Sequence, residues 1–161
     1  MAATFTMTAI GTVRGGRSEP IDDDWARESC VIELDERFDD DVVLGLDAFS
    51  HLEVVYVFDR VDESEIEQRA RHPRGREDWP RVGIFAQRGK GRPNRVGVSR
   101  CAIVKVEGKR ITVTGLDAID GTPVIDVKPY MREFGPRGEV RQAAWATELM
   151  AGYWVAKRSE S

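Results

Sequence analysis

Residues 98–127 read VSRCAIVKVEGKRITVTGLDAIDGTPVIDV. Val98–Val106 and Ile111–Leu116 are rich in β-branched residues, and Glu107-Gly108 between them has turn chemistry, so the pair reads as a hairpin. Asp120-Gly121 is a second tight-turn signal, and Val124–Val127 is the strand beyond it. Three strands follow one another here with no room for a crossover helix, which is the pattern of an antiparallel sheet.

The same texture extends upstream. Phe5–Val13 alternates with threonine and reads as a first strand, and Ser29–Leu34 as a second. Leu52–Phe58 is β-branched and aromatic, the composition of a buried central strand, and Val82–Ala86 is a brief one. Helical periodicity is confined to three places. In Asp39–Phe49 the residues Val42, Val43, Leu46 and Phe49 share a face, with Asp39 or Asp40 as cap. Asp62–Gln68 holds one or two turns, and in Glu139–Trp154 the residues Val140, Ala144, Thr147, Ala151 and Trp154 align. Proline and glycine make Arg69–Arg81 and Gln87–Gly97 loops and Pro129–Gly138 irregular. About seven short strands without βαβ alternation argue against a Rossmann sheet. They favour an all-β fold: a β-barrel or sandwich with short helices and a C-terminal helix.

A chain of 161 residues suits one domain, here 1–161, and 41% apolar with 32% charged residues excludes a disordered or fibrous chain. No apolar run is long enough to span a membrane, and the N-terminus lacks the basic and apolar regions of a secretory signal, so a cytoplasmic location is expected. Cys30 and Cys101 are too few for a disulfide framework and read as small apolar strand residues. With two histidines, His51 and His72, and no CxxC, no metal is expected.

The net charge of −4 hides an asymmetry. Residues 1–68 hold 18 acids against 5 bases, whereas residues 69–100 hold 10 bases, nine of them arginine, against 2 acids. A local charge of +8 points to an anionic partner, since the planar guanidinium fork suits phosphates and carboxylates. The competing reading is a solvated loop paired with the acidic half.

Three stretches carry more polar chemistry than a plain barrel needs. In Phe85–Gly97, Arg88, Lys90, Arg92 and Arg95 surround a tight Gly/Pro loop whose glycines allow close approach of a ligand, an anion-binding arrangement, though not a P-loop. A basic hairpin loop without a ligand is the alternative. Leu116–Tyr130 holds Asp117, Asp120 and Asp126, with Lys128 and Tyr130, around a turn, and Asp126 and Lys128 share one strand face. Asp120-Gly121-Thr122 offers a carboxylate, a free backbone and a hydroxyl, or is simply a turn. In Gly45–Leu52, Ser50 and His51 are adjacent without an acid to complete a triad, and strand neighbours point to opposite faces, so His51 reads as structural.

Taken in order, these stretches resemble the TsaA-like (TrmO-like) family of S-adenosylmethionine-dependent methyltransferases, β-barrel proteins that methylate N6 of threonylcarbamoyladenosine at tRNA position 37. The matching motifs are Ile10-Gly11-Thr12-Val13-Arg14, Gly45–Leu52, Gly83–Arg88 with Arg92–Gly97, and Asp120–Tyr130, over about residues 8–130. The resemblance implies a homodimer with S-adenosylmethionine held near the subunit interface. Its cofactor-contacting positions fall on Asp59, Arg60, Arg88, Ile119, Asp120, Gly121 and Thr122. Asp126, Lys128 and Tyr130 are the candidates to orient or take the N6 proton. The arginine band, with Arg92, Asn94 and Arg95 at its loop, would meet the phosphates of the anticodon stem-loop. The sequence departs from the family pattern at Arg88-Gly89-Lys90 (Arg-Ser-Pro in the family) and at Asn94-Arg95 (Asn-Pro). The family's Pro-Arg-Gln segment is replaced by Asp22-Asp23-Asp24-Trp25, where Trp25 is a candidate to stack on the adenine. Two other functions fit the same residues: methyl transfer to a small molecule or another RNA, and a non-catalytic adenosylmethionine-binding module.

Overall fold

The computed structural model describes residues 1–155, and six strands in it form a closed barrel. In chain order the strands are β1 (Gly11–Arg14), β2 (Ser29–Leu34), β3 (His51–Val57), the short β4 (Ala70–Arg71) and β5 (Val82–Gly83), β6 (Val96–Glu107), β7 (Arg110–Thr114) and β8 (Pro123–Pro129). Around the barrel the order is β1-β2-β7-β6-β3-β8, closing from β8 back to β1. Every pairing is antiparallel, and β4 and β5 pair separately.

Alternation builds the core. Val13, Ile32, Leu52, Val54, Ile111, Val113 and Val124 point inward and are fully buried, joined by Tyr56, Leu116, Cys30 and Cys101. The outward residues of β3, Glu53, Val55 and Val57, are half-buried, so only one face of this strand is enclosed rather than both. The register of β8 against β3 shifts between Val55 and Tyr56. Asp126 and Lys128 consequently face outward while Val124 and Val127 pack on the core. Gly97 on β6 faces Tyr56, and a Cβ there would lie 2.6 Å from the Tyr56 ring and 2.9 Å from that of Phe58.

Several expected elements are shorter, each for a physical reason. The first strand begins at Gly11 rather than Phe5: Ile10 still bonds Val124 and Asp35, but residues before it find no strand to pair with, and Phe5 and Met7 stand exposed. The helix expected over Asp39–Phe49 is two 3-10 turns, Asp40–Val43 and Leu46–Ala48, divided where Leu44 turns extended and Gly45 takes φ 84°. The strand expected over Val82–Ala86 stops at Gly83 and becomes a 3-10 turn, Ile84–Ala86, while the loop Arg69–Arg81 contains β4. The C-terminal helix is α1 (Ala144–Met150) alone. Its N-cap residue, Ala143, has no side-chain oxygen to accept from the first-turn amides, so nothing extends it toward Glu139. Of the one or two turns expected over Asp62–Gln68, one forms, Glu63–Glu65, closed by a capping box between Asp62 and Glu65.

Candidate functional site at the barrel rim

The end of β3, the end of β1 and the start of β8 meet at one rim. The turn before β8 is sewn to the segment after β1 by backbone bonds: Gly121 N–H to the Val13 carbonyl (2.7 Å), Asp120 N–H to the Arg17 carbonyl (2.8 Å) and Val13 N–H to the Thr122 carbonyl (2.9 Å). The Asp120 carboxylate accepts the Gly15 amide at 2.8 Å. Arg60 closes the arrangement, donating to the Asp120 carbonyl at 2.8 Å and to the Ser18 carbonyl at 3.2 Å. Gly121 sits at φ 86°, and a Cβ there would come within 3.2 Å of the Arg60 Nη2. The structure thus joins Arg60 to Asp120, Gly121 and the buried Thr122. Asp59 follows β3 with its side chain exposed, and Ile119 is half-buried in the turn.

Beside this turn lies a cluster to which the sequence assigned no role. Asp117 accepts from the Tyr56 hydroxyl at 3.0 Å and from the Tyr153 hydroxyl. Burial pushes both phenols well above their ordinary range, and the Asp117 carboxylate adds to this; the Arg88 charge opposes it at both rings. Arg88 itself donates to the Val98 carbonyl at 2.6 Å. Tyr56 was legible as an inward tyrosine whose hydroxyl would need a partner. Tyr153 was not, because it lies beyond the end of α1, where no strand or helix period says which way its ring points.

Asp126, Lys128 and Tyr130 come together elsewhere, on the outer wall. Lys128 Nζ lies 3.1 Å from Asp126 Oδ2, and the neighbouring Arg100 pairs with Glu53 at 3.3 Å and lies 5.0 Å over the Tyr130 ring. Asp126 stands four positions beyond Thr122 along the strand, roughly 13 Å at the usual strand rise. A cavity of ≈ 310 Å³, lined by His51, Arg100, Ala102, Thr114 and Trp154 among others, shares Arg100 with this wall and includes none of the rim residues.

In the Gln87–Gly97 loop, Arg92 donates to the Gln87 carbonyl (2.8 Å), Arg95 donates to the Val61 carbonyl (2.9 Å), and Asn94 is exposed. The loop glycines admit internal groups. A Cβ on Gly89 would lie 2.9 Å from Arg71 Nη2, and one on Gly91 would lie 2.5 Å from the Glu65 carbonyl oxygen. Of the nine arginines in 69–100, only Arg74, Arg76 and Arg100 have ion-pair partners among the described residues. Direct ion pairs between the band and the acidic half are thus those of Arg74 with Asp22 and Asp23 and of Arg100 with Glu53 among the described residues.

Trp25 is not free to stack on a ligand: it is 4% exposed, with Arg17 4.1 Å over its ring. Ser50 and His51 do not point apart, because Ser50 precedes β3; its Oγ lies 2.7 Å from His51 Nδ1.

Against known families, residues 15–135 match the model described as tRNA-methyltransferase O N-terminal domain. The chain belongs to this family. A mouse tRNA (adenine(37)-N6)-methyltransferase is 35% identical over 92 residues, 57% of this chain and 21% of that protein. The Escherichia coli K12 tRNA (adenine(37)-N6)-methyltransferase is 40% identical over 95 residues, 56% of this chain and 40% of that protein. A probable S-adenosyl-L-methionine-binding protein of Methanothermobacter thermautotrophicus is 38% identical over 99 residues, 61% of this chain and 67% of that protein. A crystal structure of TrmO from Pseudomonas aeruginosa superposes with a TM-score of 0.70 at 26% identity, covering 88% of this chain and 63% of that one. The chain thus spans well under half the length of the mouse and Escherichia coli methyltransferases.

The TrmO N-terminal domain match takes in Arg60, Arg88, the Asp117–Thr122 turn and the Asp126–Tyr130 wall, but ends before α1 and Tyr153. Arg95, where the resemblance expects proline, has φ 51°, a conformation the proline ring cannot adopt.

Proposed function

We propose that this chain is an S-adenosylmethionine-dependent methyltransferase that acts on N6 of adenosine 37 of tRNA, with the threonylcarbamoylated base as acceptor. Arg60, bonded to both the Ser18 and Asp120 carbonyls, carries the reading, because it fixes a half-buried turn of backbone and carboxylate at the rim. The residues at the rim fit the cofactor's polar groups. Arg88 spends one N–H on Val98 and keeps the rest of its fork for a carboxylate. Asp59 has an exposed carboxylate for an ammonium or a ribose hydroxyl, and the Ile119–Thr122 backbone is held rigid to read an adenine edge. Bound S-adenosylmethionine supplies an electrophilic methyl group. The protein's share is alignment, since displacement at carbon needs acceptor, methyl and sulfur in line.

The N6 of a carbamoylated adenine is a weak nucleophile, so a group that orients or receives its proton assists. The Asp126–Lys128 ion pair, with Tyr130 two residues beyond Lys128 and under Arg100, is suited to that task. Its separation from the rim along β8 favours a homodimer in which one copy's wall approaches its partner's rim. The outward Val55, Val57 and Val98 beside the patch supply apolar surface for such a contact. Arg92, Asn94 and Arg95 contact the anticodon stem-loop in this reading, no metal takes part, and the protein works in the cytoplasm, where its tRNA is.

Purified protein, methyl-labelled S-adenosylmethionine and tRNA that retains its threonylcarbamoyl groups decide the matter after digestion to nucleosides. Label is expected in the modified adenosine. Label elsewhere in the RNA would overturn the acceptor, and cofactor binding without transfer would leave a binding module.

A further inference from the structure

Arg71 is half-buried, and in an unusual way. Its Nε is, among the described residues, the one buried side-chain nitrogen or oxygen without a hydrogen-bond partner. Its Nη2 lies 2.9 Å from where a Gly89 Cβ would be, and its Nη1 3.7 Å from where a Gly91 Cβ would be. The guanidinium is therefore seated between two stretches of bare loop backbone. The position is fixed, because Arg71 pairs with Val82 and its carbonyl accepts the Gln87 side-chain amide at 3.1 Å.

Among the described residues no carboxylate forms an ion pair with this charge. In the turn before β4, Glu65 Oε1 accepts from the Asp62 amide at 3.1 Å, and Glu67 Oε1 accepts from the Gln68 and Arg69 amides at 2.9 and 2.7 Å. Lys90 stands exposed between the two glycines, Arg92 is tied to the Gln87 carbonyl, and Arg81 donates to the Ala70 carbonyl; none has an ion pair among the described residues. A guanidinium partly withdrawn from water without an anion costs stability, and removing such a cost is what a bound anion does.

We propose that Arg71, cradled by Gly89 and Gly91 and flanked by Lys90 and Arg92, receives a backbone phosphate of the RNA. The inference rests on the tRNA reading above and adds a residue outside the rim and outside the Arg92–Arg95 tip. The fork presents parallel N–H groups to two phosphate oxygens, and the glycines leave room for the guanidinium to be seated against the loop.

The test measures tRNA affinity between 50 and 200 mM salt for wild type, Arg71→Met and Lys90→Gln, with S-adenosylmethionine affinity and thermal midpoint alongside. Arg71→Met is expected to weaken tRNA about tenfold at low salt and to flatten the log–log salt slope by just under one. Its cofactor affinity should hold, and its thermal midpoint should hold or rise, whereas a structural arginine would lower the midpoint. Lys90→Gln alters an exposed side chain, so it folds, and it should flatten the slope likewise. Wild-type affinity and slope in either variant would overturn the proposal, as would a lowered midpoint in Arg71→Met with tRNA binding intact. If wild type binds no tRNA, the tRNA reading fails by itself. Inorganic phosphate is then titrated: binding lost in Arg71→Met keeps the anion site, and equal behaviour overturns it.

Discussion

Asp117 serves two phenols at once, and that makes Tyr153 a measurable latch. Its hydroxyl donates to the Asp117 carboxylate, while the Asp24 and Trp25 amides bond the Gly152 and Tyr153 carbonyls. Tyr153→Phe removes a hydrogen bond to a charged group and should cost about 1.5–3 kcal/mol, read as a lowered thermal midpoint with the barrel's far-ultraviolet signature kept. A second residue-scale effect follows from burial of the thiols, which raises Cys30 to about 11 and Cys101 to about 12. Unfolded thiols ionise near pH 9 while the folded ones stay protonated, so this stability is complete below pH 9 and is lost as pH rises from there toward 12. The urea midpoint should fall over that window, and the fall should be shallower in Cys30→Ala/Cys101→Ala than in wild type. An equal fall in both would assign it to other groups, the two raised tyrosines first.

At the level of elements, the barrel strands were legible where alternation and turn chemistry agreed. The hairpin of residues 98–116 is the clearest case: β6 and β7 pair through to Glu107 opposite Arg110, with Gly108 in the turn. The Asp120-Gly121 turn was legible for the same reason, since a tight turn must sit at a strand end, whereas Arg60 was legible only through the family resemblance. The helices were misread because period alone cannot register a break: Val42, Val43, Leu46 and Phe49 keep a helical face, yet Gly45 stands among them at φ 84°. Arg71 was illegible because its significance depends on two glycines 18 and 20 residues downstream, and nothing in the local pattern signals that approach. Gly97 tests how tightly β6 is held against β3. Gly97→Ala puts a Cβ 2.6 Å from the Tyr56 ring, and that ring cannot yield without disturbing Phe58 and the Asp117 bond. The expected cost is roughly 1–3 kcal/mol, seen as a lower urea midpoint with an unchanged slope. An unaltered midpoint would mean that the two strands shift apart freely.

For the whole molecule, the question is whether the acidic half shields the basic band. The overall charge of −4 says that RNA should be repelled; the distribution of ion pairs says otherwise. Arg74 pairs with Asp22 and Asp23, Arg76 with Asp78 and Arg100 with Glu53. Arg69, Arg71, Arg81, Arg88, Lys90, Arg92 and Arg95 have no ion pair among the described residues. If the six of these other than Arg88, which faces the cofactor in the proposed reading, each meet a phosphate, the salt slope for tRNA is about −4 to −5, and affinity falls on the order of 10³-fold between 50 and 200 mM salt. The ion-paired arginines provide the internal comparison. Arg76→Gln removes a charge already answered by Asp78 and should leave that slope nearly unchanged, whereas Arg69→Gln should flatten it by just under one. Equal effects from the two substitutions would show that net charge alone governs association and that the pairing pattern does not. A slope near zero in wild type would show that the acidic half screens the band in solution, leaving the rim, and not the arginines, to recognise the substrate.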